Sequence, residues 1–365
     1  MSLKVGIAGL PNVGKSTLFK ALTKNPVDIA NYPFCTIEPN VGIVRVPDER
    51  LEKIAKISKA EKIVPTIIEF VDIAGLVKGA AEGEGLGNKF LAHIREVDAI
   101  AEVVRAFPAQ GGSLPVRQAG AASGGENITH VYDTINPERD IDVINTELIL
   151  ADLETVKKRI EKLEKEARGM DKEAARKLEI TKKIKKALEQ GKLACELKLS
   201  AEDFELVKDL QLLTSKPVIY VLNIAGVETH PGVSLLKNYP TVQIDIKIEE
   251  ELSEMPPEEA KELEMKSNID ELIKKSYEVL NLITFFTIVG TKEARAWTIE
   301  RGSTAPKAGG AVHSDFSKKF IRANVINWQK LLEAGSWSRA RELGWLRTEG
   351  KEYIVQDGDV VEFRI

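Results

Sequence analysis

The apolar positions of this chain fall first into continuous runs: Val5 to Ala8, Val41 to Val46, Ile67 to Val71, Ile100 to Val104, Val218 to Leu222 and Val242 to Ile246. Strands covered by helices on both faces read this way, whereas a half-exposed strand alternates. The runs predict an α/β fold with a doubly wound, mostly parallel sheet. The series breaks between Asn145 and Lys198, where Ile149, Leu153, Val156, Ile160, Leu163 and Ala167 recur at three- and four-residue steps among Lys and Glu. That spacing predicts a helix with one apolar seam. A turn at Gly169-Met170-Asp171 and a second run with Leu178, Ile184 and Leu188 then predict an inserted antiparallel helical hairpin arm.

From Leu282 the pattern changes to short strands with helices between them: Phe285 to Val289, Arg295 to Ile299, Asp315 to Phe320, Asn324 to Ile326 and Asp359 to Ile365. A chain of 365 residues exceeds what one core holds. The expected domains are 1–144 with 199–281 for the sheet domain, 145–198 for the arm, and 282–365 for the β-rich module. Residues 108–126, rich in Gly, Ala and Ser, fit no period. They read as a passive insertion, with altered access to a neighbouring site as the alternative.

The first strand runs straight into Gly9-Leu10-Pro11-Asn12-Val13-Gly14-Lys15-Ser16, which fits G-x-x-x-x-G-K-[ST] in its strand-to-helix context. Such a loop curls backbone N–H groups around phosphate oxygens, and the following helix, expected from Lys15 to Thr23, adds its positive end. Lys15 is expected as a solvent-facing point charge, and the Ser16 hydroxyl as a Mg²⁺ ligand. Downstream, the run from Thr66 ends in Asp72-Ile73-Ala74-Gly75, a D-x-x-G arrangement. Asp72 can order the Mg²⁺ shell and the Gly75 N–H can meet a γ-phosphate. Thr36 offers a further hydroxyl to the metal.

These residues, with Asn31-Tyr32-Pro33-Phe34-Cys35-Thr36, Phe70 to Lys78, and Gly83 to Asn88, resemble the Obg-like ATPases of the YchF family. Lys292 to Thr298, Phe320 to Ala323 and Tyr353 to Asp359 extend the resemblance over nearly the whole chain. It implies a P-loop NTPase with a C-terminal β-grasp module of the TGS type, ATP as preferred nucleotide, Mg²⁺ as cofactor, and association with the ribosome or structured RNA through the arm and that module. The candidate nucleotide contacts are Asn12, Val13, Gly14, Lys15, Ser16, Thr17, Gly75, Asn223 and Ile224; the candidate metal ligands are Ser16, Thr36 and Asp72. The implied role is a nucleotide-dependent switch, with a scaffold or stress regulator in which hydrolysis is incidental as the alternative.

Base choice and hydrolysis each turn on a residue that is missing. Guanine readers carry N-K-x-D, but here the segment is Asn223-Ile224-Ala225-Gly226, without the carboxylate that pairs guanine's donors. The resembling family carries N-x-x-E, from which Gly226 also departs, and Ile244 to Lys247 departs from a Ser-Ala-Lys type loop. The residue after Gly75 is Leu76, which cannot orient water as a glutamine would, so slow turnover is expected. The resemblance offers His130 as a catalytic candidate on a loop, against the reading of a lone bystander histidine. Asn12 resembles the asparagine of potassium-activated GTPases, making K⁺ a second candidate cofactor; stabilising the turn is the equal alternative.

Composition narrows the setting. A net charge of −4 with 30% charged residues argues against a globally basic nucleic-acid binder. Basic residues Lys307, Lys318, Lys319, Arg322, Arg339, Arg341 and Arg347, with Trp297, Trp328, Trp337 and Trp345, raise an RNA-binding face in the C-terminal module. Residue by residue the plainer reading is core tryptophans and solvated charges. Cys35 and Cys195 have no paired spacing, and no secretory leader or membrane-length apolar run is seen. A monomer in the cytoplasm, with no membrane partner, is expected.

Overall fold

Strand β1 (Lys4–Ala8) is followed by α1 (Lys15–Thr23), β2 (Val41–Arg45), α2 (Glu49–Ser58), β3 (Lys62–Val64), β4 (Ile67–Asp72), α3 (Asn88–Glu96) and β5 (Ala99–Arg105). The computed structural model describes residues 3–24, 38–73, 88–106, 136–167, 171–224, 239–256, 259 and 267–365. Next come α4 (Pro137–Ala167), α5 (Lys172–Glu189), α6 (Ala201–Val207), β6 (Val218–Asn223), β7 (Thr241–Ile244), α7 (Ile246–Glu254) and α8 (Ile269–Val279). Six strands form the first sheet in the order β2-β4-β1-β5-β6-β7. Only β2 is antiparallel to its neighbour β4. Val5, Ile7, Ile68, Phe70, Ile100, Val103, Ile219 and Val221 bury almost completely in one core, each at about 1.5–3 kcal/mol of apolar transfer. The β1, β4 and β5 neighbourhood is where strand order reverses, so a crevice opens beyond the carboxyl ends of these strands.

The run from Val242 does not remain a strand to Ile246, as its apolarity predicts. β7 stops at Ile244, and the Asp245 carboxylate accepts from the Lys247 and Ile248 N–H groups at 3.1 Å, opening α7. A capping acid ends the strand where hydrophobicity alone gives no signal.

Helix α4 starts at Pro137, ahead of the expected Asn145, because Asn136 accepts from the Arg139 N–H at 3.1 Å and Pro137 occupies a first-turn position needing no donor. Its first turns bury Ile141, Ile144 and Leu148 in the sheet core, while Ile149 and Val156 pack against Ile180, Ile184 and Leu188 from α5. One helix thus serves two cores. Buried Asp152 ties it down by accepting from Leu213 N at 3.0 Å and from Thr214 N and Oγ1 at 2.8 and 2.6 Å.

The second sheet contains β8 (Leu282–Val289) and β9 (Glu293–Glu300), then after α9 (Ala305–Val312) and α10 (Ser314–Lys318) come β10 (Arg322–Asn327), α11 (Trp328–Ala334), α12 (Trp337–Glu342), β11 (Arg347–Glu349) and β12 (Asp359–Arg364). The expected strand from Asp315 to Phe320 is instead α10, started by the His313 Nδ1, which accepts from the Asp315 N–H at 3.2 Å. Strand order is β11-β10-β12-β8-β9-β3. The last member comes from far up the chain: β3 pairs in parallel with β9, and Leu51, Ile54 and Ala55 of α2 bury against Phe286, Ala294, Ile326 and Val360. Residues 49–64 therefore pack with the module expected to begin at 282.

The four tryptophans follow the plainer reading. Trp297 donates to Thr287 Oγ1 at 2.9 Å beneath the Arg295 guanidinium, and Trp328, Trp337 and Trp345 pack on the core shared with α2. Lys307, Lys319, Arg339, Arg341 and Arg347 pair with Glu300, Asp315, Glu342, Glu362 and Glu349. A continuous basic face is broken up by these acids.

Candidate functional site

The loop leaving β1 needs backbone that side chains resist at two glycines. Gly9 has φ 146°, and a Cβ there would stand 2.4 Å from the Val103 carbonyl oxygen. Gly14 has φ 104°, and its Cβ would meet Asn223 Nδ2 at 3.0 Å and Ile246 Cδ1 at 3.1 Å. Both positions thus combine positive φ with close approach. Asn12 takes φ 61°, a conformation asparagine tolerates better than most residues. Leu18 N closes the first turn of α1 on the Gly14 carbonyl at 2.9 Å.

Lys15 is not solvent-facing. It is buried, and its ammonium donates to the Leu10 carbonyl at 2.7 Å across the loop. Burial pushes its pKa down to about 8, partly offset by the pull of Asp72. Ser16 is exposed at the mouth, where its hydroxyl donates to Asp72 Oδ2 at 3.3 Å. The two residues reach each other because β1 and β4 are parallel neighbours, with Ile7 in register with Asp72. The Asp72 N–H in turn donates to the Asn40 carbonyl at 2.9 Å. A hydroxyl and a carboxylate side by side are the hard oxygen donors that Mg²⁺ takes. The donor set fits that ion.

Asn223, at the end of β6, binds the loop from behind. Its amide donates to the Val13 carbonyl at 3.0 Å, and its Oδ1 accepts from the Ile246 N–H at 3.5 Å. Val13 is buried, Thr17 half-buried, and Ile224 packs against the core while its N–H donates to the Ile244 carbonyl at 3.1 Å. Val13, Gly14, Lys15, Ser16, Asp72 and Asn223 are thus brought together at one crevice. Thr36, Gly75, Leu76, Gly226 and His130 lie outside the described residues, as do 108–126 and Cys35.

Two further features border this region. Ile246 walls Gly14, and Asp245 beside it caps α7, both inside the segment Ile244 to Lys247 that departs from a Ser-Ala-Lys type loop. Glu102, next to Ala8 and Tyr220 in the sheet, is fully buried, and its Oε1 has no hydrogen-bond partner among the described residues. Burial, then the charges of Asp140 and Asp142, push its pKa well above the ordinary range. A lone acid inside Ile100-Ala101-Glu102-Val103 was the available signal.

A family model described as "50S ribosome-binding GTPase" matches residues 4–131, and one described as "Protein of unknown function (DUF933)", the YchF-GTPase C-terminal model, matches residues 282–365. The chain is 48% identical to the "Ribosome-binding ATPase YchF" of Bacillus subtilis (strain 168) over 380 residues, covering 100% of this chain and 99% of that protein. It is 44% identical over 376 residues to the protein of the same name from Escherichia coli O157:H7, with the same coverage. Among solved structures it resembles the Schizosaccharomyces pombe YchF GTPase with TM-score 0.84 and 35% identity, over 100% of this chain and 98% of that one. The bacterial relatives are named as ATPases and the fission-yeast structure as a GTPase.

Proposed function

This chain belongs to the YchF family of P-loop nucleotide hydrolases, and on that premise we propose that it is an ATP-preferring, Mg²⁺-dependent switch that associates with ribosomes. The observation that carries the nucleotide reading is the Ser16–Asp72 pair at 3.3 Å beside buried Lys15. In this reading the backbone from Asn12 to Thr17 holds the phosphates, and Lys15 leaves the Leu10 carbonyl to meet them. Ser16, Asp72 and Thr36 hold Mg²⁺, which when bound neutralises charge on the phosphates. Gly75 meets the γ-phosphate. Asn223 and Ile224 border the base, and Asn223 fixes the loop against it.

ATP is preferred because Gly226 offers no carboxylate to guanine's donors. Turnover is slow because Leu76 cannot orient water, with His130 the group that positions water in its place. Asn12 would hold a K⁺ beside the phosphates, where the ion would offset their charge. The arm and the C-terminal module contact the ribosome, and the protein acts as a monomer in the cytoplasm. No described helix is long and apolar enough to cross a membrane.

Competition binding of ATP and GTP to the purified protein with Mg²⁺ tests the reading. ATP is expected to bind at least as tightly as GTP. A strong preference for GTP overturns the base assignment, and Leu76 would then favour a nucleotide-binding scaffold only if turnover is also absent.

A further inference from the structure

Strand β4, which ends at Asp72, and its antiparallel neighbour β2 are not joined by a simple loop. Between β2 and β4 the chain leaves the first sheet, builds α2 and β3 into the second, and returns. The neck is closed by the Val46 N–H, which donates to the Thr66 carbonyl at 2.9 Å. From Thr66, β4 runs directly to Asp72, and the residue before β2, Asn40, accepts from the Asp72 N–H. Nucleotide-site geometry and the second sheet therefore share one pair of strands, about 20 Å long.

Three ties fasten the excursion to the C-terminal module. Arg50, in the first turn of α2, donates to Asp48 through Nε and Nη2 at 2.9 and 2.8 Å, and to Asp357 through Nη1 at 2.6 Å. Asp357 also accepts from the Thr284 N–H of β8 at 2.9 Å. Tyr277 of α8 bridges Thr66 at the neck and Thr298 of β9. The β3–β9 ladder is extended by Glu61 N to Thr291 O at 2.8 Å and Lys62 N to Lys292 O at 3.1 Å.

We propose that this excursion, latched by Arg50 between Asp48 and Asp357, transmits the nucleotide state of the phosphate loop to the C-terminal module. The inference rests on the nucleotide-switch reading and names its regulation. A Mg²⁺–triphosphate held at Asp72 would act on that residue and, through its N–H, on the Asn40 carbonyl. Those residues end β4 and precede β2, so the two strands shift as a pair and carry α2 with them. Packed elements move as units, not as continuously deformable material. By linkage, whatever binds the C-terminal module changes nucleotide affinity by the same factor.

The protein carries its own reporter. All four tryptophans lie beyond Leu282, and Trp328 sits at the latch, with Lys53 Nζ 6.0 Å over its ring and Gly358 against its edge. Calorimetry first establishes that ATP binds; no ATP binding would overturn the nucleotide reading itself and this inference with it. With saturating Mg²⁺-ATP or Mg²⁺-ADP, the emission difference between wild type and Trp328→Phe isolates Trp328. It is expected to differ between the two nucleotides, and that difference is expected to be lost in Arg50→Gln and in Asp357→Asn, both binding ATP as wild type does. A wild-type response that is absent, or that persists in full in both variants, overturns the proposal while leaving the nucleotide reading intact. Amide exchange of β3 in wild-type protein gives an arm free of substitutions: protection that is the same in ATP and ADP rejects the coupling.

Discussion

The amide of Asn223 donates to the carbonyl of Val13 at 3.0 Å across 210 residues of chain. The same side chain accepts from Ile246 N–H, so the end of β6, the start of α7 and the phosphate loop are pinned at one point. At that junction Gly14 has φ 104°, and a Cβ there would press on Asn223 Nδ2 at 3.0 Å. The asparagine therefore shapes the loop before any nucleotide arrives.

Replacing Asn223 by Ala removes a buried donor and leaves the Val13 carbonyl to find another. The cost of such a loss is about 1–3 kcal/mol, enough to weaken nucleotide binding about tenfold or more if most of it falls on loop geometry. Titration calorimetry with ATP, beside a circular-dichroism melt, checks the split. Wild-type affinity in the variant would mean that the loop holds its shape without this bond.

Lys15 gives the site a pH dependence of its own. Its pKa is held at about 8 in the nucleotide-free protein, chiefly by burial. Phosphate oxygens favour the charged ammonium, so the bound state has the higher pKa. Above the free value the lysine must take up a proton on binding, and ATP affinity is expected to fall about tenfold per pH unit there. Dissociation constants at roughly pH 7, 8 and 9 check this; a flat profile above the free pKa contradicts it.

On the arm, Lys177, Lys182, Lys183 and Lys185 are engaged by Glu173, Glu164, Glu179 and Glu189. Lys158, Lys162 and Lys165 share an exposed face of α4 at helical spacing and have no ion pair among the described residues. Such cations are available for phosphate oxygens. Reversing all three to Glu should weaken ribosome cosedimentation and lower its salt slope by about one per lysine, while ATP binding stays as in wild type. An unchanged salt dependence would move the contact off this face.

The first sheet was legible because strands buried on both faces write themselves as unbroken apolar runs, and the phosphate loop because its glycines and Lys-Ser have fixed spacing. β3 was not. Its three residues Lys62-Ile63-Val64 are mostly exposed, and its partner Glu293 to Arg295 lies in another part of the chain. Nothing local names such a partner. The burial of Lys15 is illegible for a related reason: the motif specifies a cation at the phosphates, whereas the Leu10 carbonyl that receives it comes from the curl of the loop. Helix α10 is not legible as a helix because a five-residue segment carries too few positions for periodicity to decide.

Glu102 is a buried carboxyl whose charged form the folded sheet disfavours. In the unfolded chain it ionises near its ordinary value of 4.5, but in the fold burial and then Asp140 and Asp142 raise that value. The sign follows directly: the group's contribution to stability is fully present below the unfolded pKa and is lost as pH rises toward the folded one. Glu102→Gln keeps the shape and a hydrogen-bonding amide but has no charge to suppress. The variant is therefore expected to be more stable than wild type at neutral pH, with the gap closing as pH falls to about 4. Urea unfolding of both proteins across that range checks it. A gap that is independent of pH would show that folding does not shift the Glu102 pKa, and a less stable variant at every pH would show that its carboxyl makes a contact the amide cannot.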